Sequence, residues 1–281
     1  MIHACFRIFV PSCCDNLYST DSMNLKFTFL GTGTSQGVPV IGCKCPVCLS
    51  ENQRDKRLRT SLMIQSETTT VVIDSGPDFR QQMLRSRVER LDGLIFTHAH
   101  KDHIAGMDDI RAYNYLQGGA INVYATDETI SVLKREFEYV FSNSGYPGIP
   151  EVNLIQIQSK EPFFVGDIEF MPIQVMHHRM PVLGFRIGPF TYITDANFIH
   201  DYEKQKIFGS QILVLNALRR EKHISHFTLA EALAMVEEFK PQQAFFTHIS
   251  HQLGRHNEVS HELPEGISLA YDELVLEVIS C

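Results

Sequence analysis

The sequence predicts an α/β (α+β) protein in which short apolar strands end in polar residues. Three observations support this fold class. The chain has 281 residues, 44% of them hydrophobic and 21% charged, so it can bury a large core. The segment Asp92-Gly93-Leu94-Ile95-Phe96 is typical of a buried strand and leads into a histidine-rich loop. The second half repeats this layout, because several predicted strands there also end in histidine or aspartate.

Composition and charge limit the function classes. The net charge of −8 disfavours a nucleic-acid partner, whose binding surface is normally basic. It is compatible with an anionic substrate, because bound metal ions reverse the local field. No apolar run reaches the roughly 18 residues that span a membrane, and we expect no membrane partner. Seven cysteines, three of them close together, favour metal binding in a reducing compartment such as the cytoplasm.

The domain organisation predicted from the sequence is simple. Residues 1–22 are expected to be a leader that is disordered or not native, and Met23 is an alternative start. A signal peptide is less favoured, because the basic region before the short apolar stretch is small. Residues 23–281 are expected to form a single domain, since no repeat divides them. No pattern determines the oligomeric state, and a homodimer is compatible with the sequence.

The densest group of potential metal ligands is Thr97-His98-Ala99-His100-Lys101-Asp102-His103, with the spacing H-x-H-x-D-H. Imidazole nitrogen and carboxylate oxygen are ligands that zinc, manganese and iron take. Four such ligands within six residues cannot all reach one ion in good geometry. Alternate ligands can serve two neighbouring ions, which is the arrangement of two-metal hydrolysis. The alternative is a polar turn with solvated histidines.

A second ligand-rich loop is Cys43-Lys44-Cys45-Pro46-Val47-Cys48. Three thiolates on one tight loop favour zinc, and a structural zinc site needs a fourth ligand. From the spacing alone, that ligand is a distant histidine or cysteine. Free loop cysteines are the alternative interpretation.

Further candidates follow strands later in the chain. His178 and Asp195 each follow a predicted strand, and His248 and His251 follow another. His226 precedes a predicted helix, where an imidazole beside a cleft can donate to an anion. Taken singly, each is compatible with an ordinary turn or surface residue.

In combination and in this order, the motifs resemble the metallo-β-lactamase superfamily of binuclear metallohydrolases. The residues that carry the resemblance are Phe29-Leu30-Gly31-Thr32-Gly33, the H-x-H-x-D-H stretch, His178, Asp195 and His248. The resemblance implies an αββα sandwich, in which two mixed β-sheets lie face to face between helices, with two divalent ions, zinc or manganese, at one edge. The implied ligands are His98, His100 and His178 for one ion, Asp102, His103 and His248 for the other, and Asp195 between them.

Within the superfamily the chain looks most like the PhnP-type phosphodiesterases, which cleave a cyclic phosphate of phosphoribose. Those proteins hold a structural zinc with a G-C-x-C-x-x-C loop and a histidine three residues after the last catalytic histidine. The matching residues are Gly42, Cys43, Cys45, Cys48 and His251, and we therefore prefer His251 to His256 or His261 as the fourth ligand.

The resemblance also implies a reaction. His226, before Phe227-Thr228-Leu229, matches the histidine that these enzymes and the tRNA 3′-processing nucleases place beside the scissile phosphate. We expect hydrolysis of a small phosphate ester, with Asp102 orienting the attacking hydroxide and His226 assisting the leaving oxygen. Alternatives are a thioester or lactone hydrolase and a non-catalytic metal-binding protein. A tRNA nuclease is disfavoured, because the sixteen residues 179–194 leave no room for its tRNA-gripping arm.

Overall fold

The computed structural model describes residues 6–7, 23–142 and 148–280 of the chain. In these ranges sixteen strands form two eight-stranded mixed sheets. The first eight strands are β1 (Phe6–Arg7), β2 (Met23–Gly31), β3 (Ser61–Gln65), β4 (Thr70–Ile73), β5 (Gly93–Ile95), β6 (Ile121–Ala125), β7 (Val152–Gln156) and β8 (Phe163–Val165). The others are β9 (Ile168–His177), β10 (Met180–Ile187), β11 (Phe190–Tyr192), β12 (Phe198–Ile199), β13 (Ile212–Asn216), β14 (Gln243–Thr247), β15 (Ile267–Leu269) and β16 (Val275–Ser280).

The helices lie between strands and cover the outer faces of the sheets. They are α1 (Phe79–Ser86), α2 (Lys101–Ile104), α3 (Arg111–Gln117), α4 (Asp127–Glu136), α5 (Glu138–Phe141), α6 (Asp201–Lys204), α7 (Leu229–Phe239) and α8 (His256–Glu262). Each helix in the described ranges is too short or too polar to cross a lipid bilayer.

Both sheets combine an antiparallel part with a parallel part. In the first, the order is β1-β16-β2-β3-β4-β5-β6-β7, and the strands from β4 to β7 are parallel. In the second, the order is β12-β9-β10-β11-β13-β14-β15, with β8 beside β9, and the strands from β11 to β15 are parallel. Parallel strands bring their carboxyl ends to one edge, where α/β proteins place their sites.

Three apolar clusters account for the layers. One lies between the sheets, where Phe27 of β2 stacks on Phe190 of β11 with ring centroids 3.8 Å apart. A second packs the first sheet against its helices, and a third packs the second sheet against α7 and α8. Full burial of each such side chain contributes roughly 1.5–3 kcal/mol. This order of helix, sheet, sheet and helix confirms the predicted αββα sandwich.

Most of the predicted leader lies outside the described residues. Within it, the backbone of Phe6–Arg7 pairs in parallel with β16. The expectation for the rest of residues 1–22 stays a prediction, as does the single domain expected for residues 23–281.

Candidate active site

The predicted ligands meet where strand ends from both sheets converge. His98 lies just beyond β5, and His248 directly follows β14. Asp195 lies three residues beyond the end of β11. All three side chains are buried, although aspartate is rarely fully buried without a partner.

The first ligand cluster consists of His98, His100 and His177. One ring nitrogen from each lies within 4.8 Å of the others. His98 Nε2 is 3.1 Å from His100 Nδ1. Three imidazoles that turn their nitrogens towards a common point can form one face of a metal coordination sphere.

The structure contradicts the prediction that His178 belongs to this cluster. Side chains alternate along a strand, and Ile173, Val175 and His177 of β9 are buried on the same face. His178 lies beyond the strand, is exposed and has a left-handed backbone with φ of 58°. The alternation was readable in the sequence, since extending Ile173 and Val175 by two residues reaches His177.

The second cluster consists of Asp102, His103, Asp195 and His248. His103 Nε2 lies 3.3 Å from Asp102 Oδ2 and 3.4 Å from Asp195 Oδ2. The other Asp195 oxygen, Oδ1, lies 3.2 Å from His248 Nε2. Asp195 Oδ2 is also 3.9 Å from His98 Nε2 of the first cluster. The Asp195 carboxylate therefore lies between the two clusters.

These separations fit divalent ions. Ligand atoms at about 2.1 Å from a tetrahedral ion are about 3.4 Å apart, and the measured distances within the second cluster are close to that value. His103 Nε2 and His248 Nε2 are buried and form no hydrogen bond within the described part of the chain. Buried polar atoms without a partner are costly, and a metal ion would satisfy both.

Hydrogen bonds behind the ligands fix their orientation. His103 Nδ1 lies 2.7 Å from Asp74 Oδ2, and Thr97 Oγ1 donates to the same carboxylate oxygen at 2.8 Å. His177 Nδ1 donates to the backbone carbonyl of Ser225 at 2.9 Å. In both histidines the second nitrogen is left for the cluster, which is the usual support for metal-binding imidazoles. The sequence reasoning missed Asp74. This aspartate comes just after the end of a buried strand, β4, and Asp195 likewise comes after the end of β11.

The electrostatics keep Asp102 and Asp195, the two carboxylates of the second cluster, ionised. Burial raises the pKa of Asp195, but His248 and His103 hold it well below its usual value. Burial lowers the pKa of His103, but Asp195, Asp74 and Asp102 hold it well above its usual value. Burial and His103 hold the pKa of His98 well below its usual value. The ionised Asp195 and the neutral His98 are in the protonation states that a metal requires, whereas a metal bound to His103 would displace the proton that the three carboxylates favour on that ring.

His226 lies beside the bridging carboxylate. Its Nε2 is 3.2 Å from Asp195 Oδ2, and its Nδ1 is 3.1 Å from His223 Nδ1. The next helix, α7, begins with a capping box in which the Thr228 side chain accepts from the backbone of Glu231. The N-cap residue Thr228 is two positions after His226, so this cap fixes the start of α7 close to His226. The sequence reasoning missed His223, which has no motif of its own.

The cysteine loop surrounds a single imidazole. His251 Nδ1 lies 3.4, 3.3 and 3.6 Å from the Sγ atoms of Cys43, Cys45 and Cys48. These lengths fit the edges of a tetrahedron around zinc, which are about 3.6 Å for sulfur and nitrogen ligands. Burial raises the pKa of Cys45, but hydrogen bonds from Cys48 and His251 lower it to about 6, which favours the thiolate.

The glycine-rich loop after β2 connects the two sites. Gly33 forms a β-bridge with Ile249, one of the two residues between His248 and His251. Ile249 donates to the Thr32 carbonyl at 2.9 Å. On its other side, a Cβ at Gly33 would lie 2.9 Å from the Arg57 carbonyl oxygen, so the close approach of the Arg57 backbone requires glycine at this position.

Comparison with known proteins identifies the class. A family model described as "Beta-lactamase superfamily domain" matches residues 69–249, more than half of the chain. The chain therefore belongs to the beta-lactamase superfamily. It has the metallo-β-lactamase fold of a family of metal-dependent hydrolases, and this fold implies divalent metal ions, which the clustered ligands fit.

Solved structures and curated relatives define the similarity further. A diphosphatase from the PhnP family is 39% identical, with a TM-score of 0.87 over 92% of this chain and 99% of that chain. This match confirms the predicted PhnP-like resemblance. Zinc-bound PqqB from Methylobacterium extorquens is 16% identical, with a TM-score of 0.73 over 90% of this chain and 100% of that chain, and shows the fold alone.

The curated relatives carry mixed names. A Porphyromonas gingivalis (strain ATCC BAA-308 / W83) protein named octanoyltransferase is 36% identical over 89% of this chain and 51% of its own length. A Gloeothece citriformis (strain PCC 7424) ribonuclease Z is 27% identical over 66% of this chain and 52% of its own length. The chain thus spans about half the length of these relatives.

Proposed function

We propose that the chain is a binuclear phosphodiesterase that hydrolyses a small phosphate ester, such as a phosphoribosyl cyclic phosphate. The observation that carries this proposal is the position of Asp195. Its Oδ1 faces His248 of the second cluster, and its Oδ2 lies between His103 of that cluster and His98 of the first. His226 Nε2 lies 3.2 Å from the same Oδ2. The similarity to a PhnP-family diphosphatase supports a phosphoryl substrate.

Each side chain has a role in this reaction. When bound, two divalent ions, zinc or manganese, would activate water and neutralise phosphoryl charge. Asp195 would be a ligand of both ions, and Asp102 would accept a hydrogen bond from the attacking water. His226 would donate to the phosphoryl oxygens or protonate the leaving oxygen. A third ion, zinc, would be held by Cys43, Cys45, Cys48 and His251.

The test compares three ester classes on the metal-loaded protein. We expect turnover of bis-p-nitrophenyl phosphate, with octanoyl thioester and lactone substrates cleaved at least tenfold more slowly in kcat/KM. A preference for the thioester or the lactone would contradict the proposal. Inactivity towards all three classes would favour a metal-binding protein without catalysis.

A thioester hydrolase is the second candidate. The relative named octanoyltransferase supports it, because acyl groups are carried as thioesters. A groove of about 490 Å³ beside His98 is lined in part by Val132, Ile157 and Leu183, which could hold an acyl chain. The thioester arm of the same assay distinguishes this candidate.

A tRNA nuclease fits less well. Between His177 and Asp195 the chain forms β10, β11 and short turns, and no arm projects there. The similarity to the short form of human tRNase Z, 17% identical with a TM-score of 0.63 over 89% of this chain and 98% of that chain, shows the fold alone. We therefore retain a small-molecule ester as the proposed substrate.

The thiols of the cysteine loop form no disulfide bond, which supports a reducing compartment such as the cytoplasm.

A further inference from the structure

We propose that Asn197 is a positioning residue that holds the His226 imidazole against the two ligand clusters. Asn197 lies two positions after Asp195, is half-buried, and donates its backbone N–H to the Met176 carbonyl of β9 at 2.9 Å. The inference rests on the proposed phosphodiesterase function for the contribution of His226 to turnover. The position of the imidazole itself can be measured without a substrate.

The loop before His226 is anchored by two hydrogen bonds. The Ile224 carbonyl accepts from the Asn197 side-chain amide at 3.2 Å. The Ser225 carbonyl accepts from His177 Nδ1 at 2.9 Å. His177 is a proposed metal ligand, whereas Asn197 belongs to neither cluster. The hydrogen bond from Asn197 can therefore be removed by substitution without removing a ligand.

The loop after His226 is anchored in the core. The Phe227 N–H donates to the Ala196 carbonyl at 2.7 Å, and both residues are buried. Ile224, on the other side, is 67% exposed. Because apolar packing holds this side so little, the hydrogen bond from Asn197 provides much of the restraint there.

Hydrogen bonds on both sides determine the orientation of the Asn197 amide. Its Oδ1 accepts from the His178 backbone N–H at 2.7 Å, which leaves Nδ2 for the Ile224 carbonyl. The reverse orientation would place two donors together and two oxygens together. The same amide thus connects the turn after β9, where His178 has a φ of 58°, to the loop of His226.

The His226 ring contacts both clusters. Its centroid lies 4.6 Å from that of His177 and 4.7 Å from that of His248, on which it stacks. Its Nε2 lies 3.2 Å from Asp195 Oδ2. A misplacement of about 1 Å can cost about 100-fold in rate, so a shift of this loop would affect turnover without removing any side chain from the site.

The experiment is a double-mutant cycle between Asn197 and His226 in the metal-loaded protein. Asn197→Leu keeps the approximate shape and removes both side-chain hydrogen bonds. We expect its kcat on bis-p-nitrophenyl phosphate to fall roughly 10- to 100-fold, at unchanged KM and metal content. In the His226→Ala background, the same substitution should change kcat by less than about twofold, because the group that Asn197 positions is then missing.

Asn197→Asp is the second variant and also serves where Asn197→Leu fails to fold. The carboxylate can accept from the His178 N–H but cannot donate to the Ile224 carbonyl. The negative charge it adds acts in both backgrounds and cancels in the cycle. We therefore expect Asn197→Asp to show the same coupling to His226 as Asn197→Leu.

Asn114→Leu is the matched control. Asn114 also bridges backbone groups, because its side-chain amide donates to the carbonyls of Gly119 and Glu151. These carbonyls lie just before β6 and β7, at the opposite edge of the sheet from the ligands. Any loss of kcat in Asn114→Leu should be the same factor with and without His226.

The imidazole can also be followed without turnover. In zinc-loaded protein labelled with ¹⁵N-histidine, the ring signals of His226 are those that disappear from the spectrum of His226→Ala. We expect Asn197→Leu to shift or broaden these signals and Asn114→Leu to leave them unchanged. This measurement depends on the position of the ring and not on the identity of the substrate.

The outcomes separate the two proposals. Unchanged His226 signals in Asn197→Leu would overturn this inference. Equal losses of kcat with and without His226 would also overturn it, because Asn197 would then act independently of the imidazole. Absence of phosphodiester turnover by the wild type would overturn the proposed function, and shifted His226 signals would still support the positioning role.

Discussion

The imidazole of His103 and the carboxylate of Asp74 lie 2.7 Å apart, and both side chains are fully buried. This pair fixes the ring so that Nε2 faces Asp102 and Asp195. Replacing Asp74 by asparagine keeps the shape and tolerates the positive φ of 64° at this position, but it removes the charge. We expect metal affinity to fall by roughly 10- to 100-fold. Competition titration against a chromophoric chelator measures it, and unchanged affinity in the folded variant would contradict the assigned role.

The two adjacent histidines at the end of β9 should behave differently. His177→Ala removes a proposed ligand, and we expect the purified protein to lose one equivalent of active-site metal. His178→Asn should keep the full metal content, because His178 points away from the cluster. Elemental analysis of the two variants is the measurement. Loss of metal from His178→Asn with full content in His177→Ala would restore the interpretation from the sequence.

His226 should affect turnover more than metal binding. For His226→Ala we expect kcat on bis-p-nitrophenyl phosphate to fall by roughly 10²–10⁴-fold at unchanged metal content. The matched variant is His223→Ala, which removes a neighbour of His226 Nδ1 and should cost less than about tenfold. Equal effects of the two substitutions would argue that His226 only supports the local structure.

The cysteine loop should contribute to stability and, through Gly33 and Ile249, to the active site. For Cys45→Ser we expect loss of one zinc and destabilisation by more than about 2 kcal/mol, because structural zinc binding is coupled to folding. Lys44→Gln, in the same loop, is the control. Calorimetry and zinc analysis measure both. A Cys45→Ser protein with full zinc and an unchanged Tm would show that the loop is no metal site.

Acid should destabilise the protein in part through His256. Burial and the neighbouring Arg57 lower the pKa of this imidazole to about 4, from 6.5 for an unperturbed group. Below pH 6.5, His256 therefore binds a proton in the unfolded chain but not in the folded chain. The free energy of unfolding falls as the pH drops towards 4. For this one group the loss is up to about 3 kcal/mol.

The variant His256→Gln can still accept the hydrogen bond from Arg57 but does not titrate. Urea denaturation between pH 7 and pH 4 should show a shallower loss of stability for this variant than for the wild type. Parallel curves for the two proteins would contradict the role of His256.

Much of the site was predictable, because it lies where buried strands end. The H-x-H-x-D-H loop follows β5, and the same logic located Asp195 and His248. For the cysteine loop, spacing predicted three ligands, and only the resemblance pointed to His251. The structure places it beside the three thiols.

Other parts of the site required the structure. His177 and His178 are chemically identical neighbours, and only the register of β9 decides which one faces the cluster. Asp74 and His223 carry no motif, and their importance comes from contacts across long sequence separations, such as Asp74 with His103. The β-bridge between Gly33 and Ile249 joins residues more than two hundred positions apart, which no local pattern reveals.

The central claim is that Asp195 joins two metal ions in one centre. Electron paramagnetic resonance of the protein with zinc in the cysteine site and two equivalents of Mn²⁺ added tests it most directly. We predict the spectrum of an exchange-coupled manganese pair that appears together with bis-p-nitrophenyl phosphate turnover. We predict that Asp195→Asn abolishes both. Two independent Mn²⁺ spectra, or saturation at one equivalent with full activity, would contradict the account.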